Sequence, residues 1–395
     1  MKRLGYYIFN IFYYIFYLFP INKKKVLLIM THDTSPEGNV LYTFNYFKSK
    51  NPKLFYKKIT RETYEFNMDR RLIKKIFNFF IVTPYHVATS KIIFLDNIFL
   101  PFAYTKFKKS VAVVQLWHGT GSIKKFALDS EKGTIKKLAK KACSKQTHLI
   151  VGSKEMIPIY ASAFGMELEK IFPIGSPRCD FFFNVTYTKT KKNKFRENYP
   201  ELSNKKIVLY APTFRDESFK KKIRNKKLKL DDSLNLNLEI FELLNLLSEE
   251  YVLILRLHPS ISKDFSIDNL MLDNSLKKRI YDFSTFNSLN SLMLISDCII
   301  TDYSSIIFEY SLLNKKMIFY PYDLKEFEEY SRGFYFSYEE FVPGDIALEI
   351  SDISKKIAEN IIEIKNKQFK DRFMEGCDGN SAKKLYHILR DFDKY

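Results

Sequence analysis

Only four of the 395 residues are cysteine. Cys143, Cys179, Cys298 and Cys377 lie far apart and form no CxxC pair, and the nearest cysteine–histidine pair, Cys143 with His148, has no two further ligands close by. This spacing argues against a disulfide framework and a cysteine-based metal site, and reads the thiols as small buried hydrophobes of a reduced, cytoplasmic compartment. Glycine-loop motifs are also lacking. Without a Walker loop, a Gly-x-Gly-x-x-Gly or an HExxH, the usual P-loop, dehydrogenase and zinc-protease chemistries are set aside. Ser122 and Lys125 form a Ser-x-x-Lys, but the Ser-Asp-Asn and Lys-Thr-Gly partners of a β-lactamase-type site are missing. No RNA-recognition signature or basic helix with interleaved aromatics occurs.

Acidic residues are scarce in one half of the chain. Residues 1–200 carry 35 Lys and Arg against 13 Asp and Glu, whereas residues 201–395 carry 29 against 32. The whole excess of the +19 net charge is therefore N-terminal. Such a half should meet a polyanion: an anionic membrane surface, a phosphate-rich acceptor or nucleic acid. Long hydrophobic runs are missing too. Gly5 to Phe19 is largely apolar, with nine Tyr or Phe, but as a helix it would reach only about 22 Å at 1.5 Å per residue. That falls short of a bilayer core of ~30 Å. No small-residue cleavage site follows it. Between Met1-Lys2-Arg3 and Lys23-Lys24-Lys25, this aromatic segment reads as a membrane-interface anchor or as a helix packed on its own domain.

What is present describes a globular protein: 46% apolar and 28% charged residues, at a length that implies two domains. Short aliphatic runs alternate with helical stretches, the pattern of a parallel sheet covered by helices. Strands are expected at Val26–Met30, Val111–Leu116, His148–Val151 and Ile171–Ile174, then at Ile207–Tyr210, Val252–Leu257, Arg279–Tyr281, Cys298–Thr301 and Met317–Tyr320. The basic stretch Asn184 to Asn204 reads as a linker, and Phe219 to Asp232 as a solvated excursion. The expected organisation is a membrane-associating segment 1–20, an acceptor-side α/β domain 21–190, a donor-binding α/β domain 205–376 and a C-terminal helix 377–395. Two doubly wound domains facing a cleft, each binding ligands outside the carboxyl ends of its strands, make a GT-B-like architecture.

The chemically unusual residues fall at those strand ends. Asp302-Tyr303-Ser304-Ser305 reads as a strand, tight turn and helix start, where unpaired N–H groups and two hydroxyls can hold a phosphate. Glu309 follows on the same helical face, suited to ribose hydroxyls. The same residues also make an ordinary N-cap. His118 sits between the single tryptophan and Gly119, and His258 between Arg256-Leu257 and Pro259. Each suits a general base near neutral pH or a structural histidine, while Arg256 and Arg215 suit bidentate contact with diphosphate oxygens. His32 follows Val26–Met30 and precedes Asp33.

Taken in order, these segments resemble the CDP-glycerol glycerophosphotransferase family. The resemblance is carried by Gln115-Leu116-Trp117-His118-Gly119-Thr120 with Lys124-Lys125-Phe126, by Gly175-Ser176-Pro177-Arg178-Cys179-Asp180, and by Tyr210-Ala211-Pro212-Thr213-Phe214-Arg215. Arg256-Leu257-His258-Pro259, Ser296-Asp297, Thr301-Asp302-Tyr303-Ser304-Ser305, Tyr320-Pro321-Tyr322-Asp323 and Arg332-Gly333-Phe334-Tyr335 continue it. Gly38-Asn39 and Asp378-Gly379-Asn380 extend it across about residues 24–390. The resemblance implies a GT-B fold, with the donor held mainly by the second domain and two histidines, His118 and His258, in catalysis. It places Arg215, Arg256, Thr213, Asp302, Ser304, Ser305, Glu309 and Arg332 around a CDP-activated polyol, and Trp117, Gly119, Lys124 and Arg178 on the acceptor side. No residues are assigned to a metal and no cofactor is expected, CDP-glycerol being a substrate; dependence on a divalent metal is left open.

The expected reaction moves glycerol phosphate from CDP-glycerol to a hydroxyl of a lipid-linked or polymeric acceptor, releasing CMP, in teichoic-acid or capsule synthesis. The expected location is the cytoplasmic face of a bacterial membrane, bound peripherally, with no nucleic-acid partner. A CDP-ribitol transferase and a sugar-nucleotide glycosyltransferase are the enzymatic alternatives. The non-enzymatic one is a basic protein that binds membranes or nucleic acid.

Overall fold

The computed structural model describes residues 2–63, 70–215, 217–225, 232–263, 265–270, 272–359 and 364–391. Two compact units divide the chain: Met1–Gly121 with Phe126–Phe183 and Phe373–Tyr395, and Ser122–Lys125 with Asn184–Arg372.

In the first unit six parallel strands, β1 (Asn22–Met30), β2 (Phe55–Thr60), β3 (Ser90–Leu95), β4 (Ala112–Gln115), β5 (His148–Ile150) and β6 (Ile171–Phe172), run in the order β2-β1-β3-β4-β5-β6. Central strands of such a sheet are covered on both faces, so Val26 to Met30 and Ile93 to Leu95 are apolar and buried without alternation. Edge strand β2 instead carries exposed Lys57 and Lys58. The order reverses between β1 and β3. Their carboxyl ends therefore form a topological switch point, where loops diverge and leave room for a site.

The second unit repeats the plan. Strands β7 (Lys206–Tyr210), β8 (Tyr251–Leu255), β9 (Ile280–Asp282), β10 (Cys298–Thr301), β11 (Lys316–Phe319) and β12 (Asp345–Ile346) lie in the order β12-β11-β10-β7-β8-β9, all parallel. Here the switch point falls between β7 and β10.

Strands β2, β3 and β12 were not expected from the sequence. The β3 run is short and is followed, after Asp96-Asn97, by the apolar stretch 98–103, and a short apolar run cannot be told from buried helix by periodicity alone. The expected linker is a helix, Val185–Asn198, belonging to the second unit. Asn184 caps it by accepting the Tyr187 N–H at 3.0 Å, and Phe195 pins it against Phe283 and Phe286. The expected solvated excursion begins with helix Glu217–Asn225, which buries Phe219 and Ile223; residues 226–231 lie outside the described residues. The second unit thus spans 184–372 rather than 205–376. The C-terminal helix Ser381–Asp391 returns to the first unit, capped by the Asp180 carboxylate, which accepts the N–H groups of Ser381 and Ala382 at 2.9 Å.

The N-terminal helix Lys2–Phe16 has two apolar faces. One is packed: Phe9 and Tyr13 are fully buried with Phe79, Phe99 and Phe102, the Asn10 amide donates to the Pro101 carbonyl at 2.9 Å, and the Tyr13 hydroxyl donates to the Lys106 carbonyl. The other leaves Leu4, Tyr7, Ile11 and Ile15 exposed at helical spacing, with Leu18 beyond them at 86% exposure. No described helix is long and apolar enough to cross a membrane.

Candidate active site

At the first switch point Asp96 follows β3 directly. Its carboxylate accepts the main-chain N–H groups of Thr31, His32 and Asp33 at 2.8, 2.9 and 2.8 Å, which fixes the loop after β1. Gly38 packs close to that loop: a Cβ there would lie 2.6 Å from the Asp33 carboxylate, which would have to shift. The Asp96 carbonyl faces His118 Nδ1 at 2.9 Å. A carbonyl only accepts, so Nδ1 carries the proton and Nε2 keeps its lone pair. Burial above all pushes the His118 imidazole down to about 3, with the neighbouring His32 ring adding to the effect. The ring is therefore neutral at pH 7, with the Nε2 lone pair unprotonated. His32 stacks flat on it, 3.6 Å between centroids and 8° from parallel. Burial lowers the His32 pKa as well, against the opposing pull of Asp96 and Asp33.

The segment that presents His118 is held on every side. Trp117 adopts φ 56°, a left-handed conformation rare outside glycine, so other contacts must stabilise it. The Gln115 side chain accepts its N–H at 3.0 Å, and the Asn39 amide donates to the carbonyls of Leu116 and Trp117 at 3.2 and 3.1 Å. The Asn39 oxygen in turn accepts from Ser176 Oγ and the Arg178 N–H at 2.8 and 2.9 Å. Arg178 donates to the His118 carbonyl at 2.9 Å and pairs with Asp33 at 3.7 Å. The Gly119 carbonyl accepts from the Tyr160 hydroxyl at 3.1 Å. Trp117, Gly119 and Arg178 are thus the frame of His118.

At the second switch point the loops after β7 and β10 meet around Arg215. Its guanidinium donates twice to Asp323, at 2.6 Å each, and to Asp302 at 2.7 Å and the Thr213 carbonyl at 2.6 Å. Both Arg215 and Asp302 are 3% exposed. Asp302 also accepts the N–H groups of Thr213 and Tyr303, and the Tyr303 hydroxyl donates to Asp323. This is a closed ionic network. The expected diphosphate contact of Arg215 changes accordingly, as does the donor contact expected of Asp302: the pair shapes the two loops. Arg256 behaves similarly, donating to the carbonyls of Phe283, Ser284 and Phe286 and so holding the loop after β9.

The other residues expected at the donor site also lie in this unit. Thr213 Oγ1 is buried and has no hydrogen-bond partner among the described residues. Ser304 and Ser305 are half-buried and open helix Ile306–Ser311, within which Glu309 is buried. His258 is exposed, stacks on Phe214 at 4.9 Å, and accepts the Ser260 N–H on Nδ1 at 3.2 Å. In its neutral form it therefore carries its proton on Nε2, the opposite tautomer to His118. Arg332 is exposed, and Lys124, in the segment assigned to the second unit, pairs with Phe334 in an isolated antiparallel bridge. Among the described residues no group of three His, Cys, Asp or Glu could hold a metal ion.

Sequence reasoning missed Asp96 entirely and gave no role to Asp323. Reading β3 correctly would have placed Asp96 at a strand end beside the switch point.

The family model for CDP-glycerol:poly(glycerophosphate) glycerophosphotransferases matches residues 11–390. The chain belongs to this family. It is a polyol-phosphate transferase. It is 31% identical over 388 residues to the teichoic acid ribitol-phosphate primase of Bacillus spizizenii, covering 95% of this chain and 93% of that one. It is 32% identical over 317 residues to the teichoic acid glycerol-phosphate primase of Bacillus subtilis, covering 79% and 76%. Against the poly(ribitol-phosphate) polymerase of Bacillus spizizenii it is 30% identical over 394 residues, covering 98% of this chain but 59% of the relative. The wall teichoic acid polymerase TagF superposes with a TM-score of 0.75 at 22% identity, over 100% of this chain and 95% of that one, which gives the transferase a GT-B-like fold.

Proposed function

We propose that the transferase moves glycerol phosphate from CDP-glycerol to a hydroxyl of a lipid-linked or polymeric acceptor in teichoic-acid or capsular polymer synthesis. The observation that carries the mechanism is the fixed tautomer of His118. Nε2 accepts the proton of the acceptor hydroxyl as its oxygen attacks the β-phosphorus; the new P–O bond forms, the anhydride bond to the α-phosphate breaks, and CMP leaves. His258 Nε2–H donates to the charged phosphoryl oxygens. The Ser304 and Ser305 hydroxyls, with Thr213 Oγ1, hold the diphosphate, Glu309 the ribose, and Arg332 and Lys124 add positive charge. Phosphoryl transfer depends chiefly on such positioning and charge stabilisation.

The enzyme works peripherally at the cytoplasmic face of the membrane. Support comes from the exposed apolar stripe Leu4, Ile11, Ile15 and Leu18, from exposed Ile73 and Phe77, and from the N-terminal excess of lysine and arginine.

Purified protein is offered CDP-glycerol, CDP-ribitol and UDP-sugars with lipid-linked acceptors, and products are read by mass spectrometry. CMP release with acceptor gaining one or more glycerol phosphates is expected. Exclusive use of CDP-ribitol moves the substrate to the second polyol, which relatives of both kinds support; UDP release defeats the proposal.

A further inference from the structure

A second cationic site lies at the other end of the first sheet. A cavity of about 780 Å³ opens where the N-terminal helix leads into β1, lined by Phe19, Lys24, Lys25, Lys57, Tyr85 and His86 among others. It sits at the amino end of β1, about 16 Å along the strand from Met30 by a rise of ~3.3 Å per residue. The loop that carries His32 is at the opposite, carboxyl end.

Its charges have no counter-ion among the described residues. Lys25 is 4% exposed, yet among those residues its ammonium group meets only the Thr89 hydroxyl at 2.6 Å and the face of Tyr85 at 4.6 Å. In the parallel register Lys25 pairs with Phe55 and Leu27 with Lys57, so both lysines project from the same face of the sheet. His86 Nδ1 is buried and has no hydrogen-bond partner among the described residues. No Asp or Glu is among the lining residues, which include Lys23 as well. Burying an ammonium without an anion is costly. The cost registers in the titration: burial, then Lys57, pushes Lys25 down to about 8, and burial with both lysines pushes His86 down to about 4. Phe19, Phe55 and Tyr85 supply apolar and aromatic walls beside these donors.

We propose that this cavity binds the phosphate head group of an anionic amphiphile, with Lys25, Lys57 and His86 on the phosphate and Phe19, Phe55 and Tyr85 along its apolar part. A phosphate there accepts from both ammonium groups and from the unpartnered imidazole nitrogen, and the aromatic walls distinguish an amphiphile from a free anion. The site lies at the opposite end of the first sheet from His32, so its binding is read without turnover.

Titration calorimetry with full-length protein and dihexanoyl phosphatidic acid, kept below its micelle concentration, tests this directly. Saturable binding is expected, weakened at least about tenfold by Lys57→Gln with Lys24→Gln, the Lys57 hydrogen bond to a charged group alone being worth that much. Both lysines lie at the rim, and circular dichroism checks that the double variant folds. Saturating CDP-glycerol should not compete. Equal affinity for inorganic phosphate makes this a free-anion site and overturns the amphiphile. Equal affinity for dihexanoyl phosphatidylcholine, competition by CDP-glycerol, no binding, or a folded double variant that binds like wild type overturns the assignment altogether.

Discussion

The imidazoles of His32 and His118 lie face to face, 3.6 Å apart. Two rings this close cannot both take a proton readily, since like charges in a partly buried site repel strongly. The stack therefore helps to keep the proposed base neutral, and Asp96 organises both partners, one through its carboxylate and the other through its carbonyl.

This pairing sets the pH dependence. The working form of His118 is deprotonated and its pKa is pushed down to about 3, so lowering the pH from 7.5 to 5.5 should leave the free enzyme's base intact. The acid limb of kcat/KM should lie well below the ordinary histidine value of about 6.5. His32→Phe keeps the stacked ring but removes the competing charge, so the His118 pKa rises and the limb moves to higher pH. A wild-type limb at 6.5, or one unmoved by His32→Phe, contradicts this account.

Stability should show the same sign. His86 and His148 are pushed down to about 4 and His118 to about 3, chiefly by burial. With folded values below the unfolded one of about 6.5, their contribution is complete above that pH. It is lost as the pH falls from there towards 4, because the unfolded chain takes protons that the native one refuses. Glu239, raised to about 7 mainly by burial, works in the opposite direction. The difference between variants isolates one group: His148→Gln should lower unfolding midpoints less at pH 5 than at pH 7.5. Equal losses at the two pH values count against a neutral buried His148.

Arg215→Ala leaves the Asp302 and Asp323 carboxylates buried without their cation, which should cost about 3–5 kcal/mol in chemical unfolding. A residue that only touched substrate would lose donor affinity at unchanged stability. That outcome would return Arg215 to the diphosphate.

For the membrane, deleting the N-terminal segment is uninformative because it would strip Phe9 and Tyr13 from the core. Ile11→Glu with Leu18→Glu alters the exposed face alone. Co-sedimentation with anionic vesicles should fall, most clearly at high salt, where the Debye length shrinks from ~10 Å at 0.1 M to ~3 Å at 1 M and only apolar burial remains. Binding equal to wild type at every salt concentration removes the stripe from the interface.

The plan of two parallel sheets was legible because buried central strands such as Val252 to Leu255 read as unbroken apolar runs. The strand ends then singled out His118, His258 and Ser304-Ser305. Edge strand β2 was hidden by Lys57 and Lys58, and the helix at 185–198 by a composition that resembles a linker, its single buried anchor being Phe195. The roles of Arg215 and Arg256 were not legible for a different reason. An arginine suited to phosphate oxygens is equally suited to carboxylates and carbonyls, and only the fold reveals that Asp323 and the loop at 283–286 occupy them.

The proposed base is tested most directly by the rate at which CMP is released from CDP-glycerol in the presence of a lipid-linked acceptor, compared between wild type and His118→Ala. The account predicts a loss of at least ~10²-fold, the lower end of what a positioned base supplies, with unchanged CDP-glycerol affinity and an unchanged unfolding midpoint. Turnover equal to wild type in a folded His118→Ala protein would contradict it.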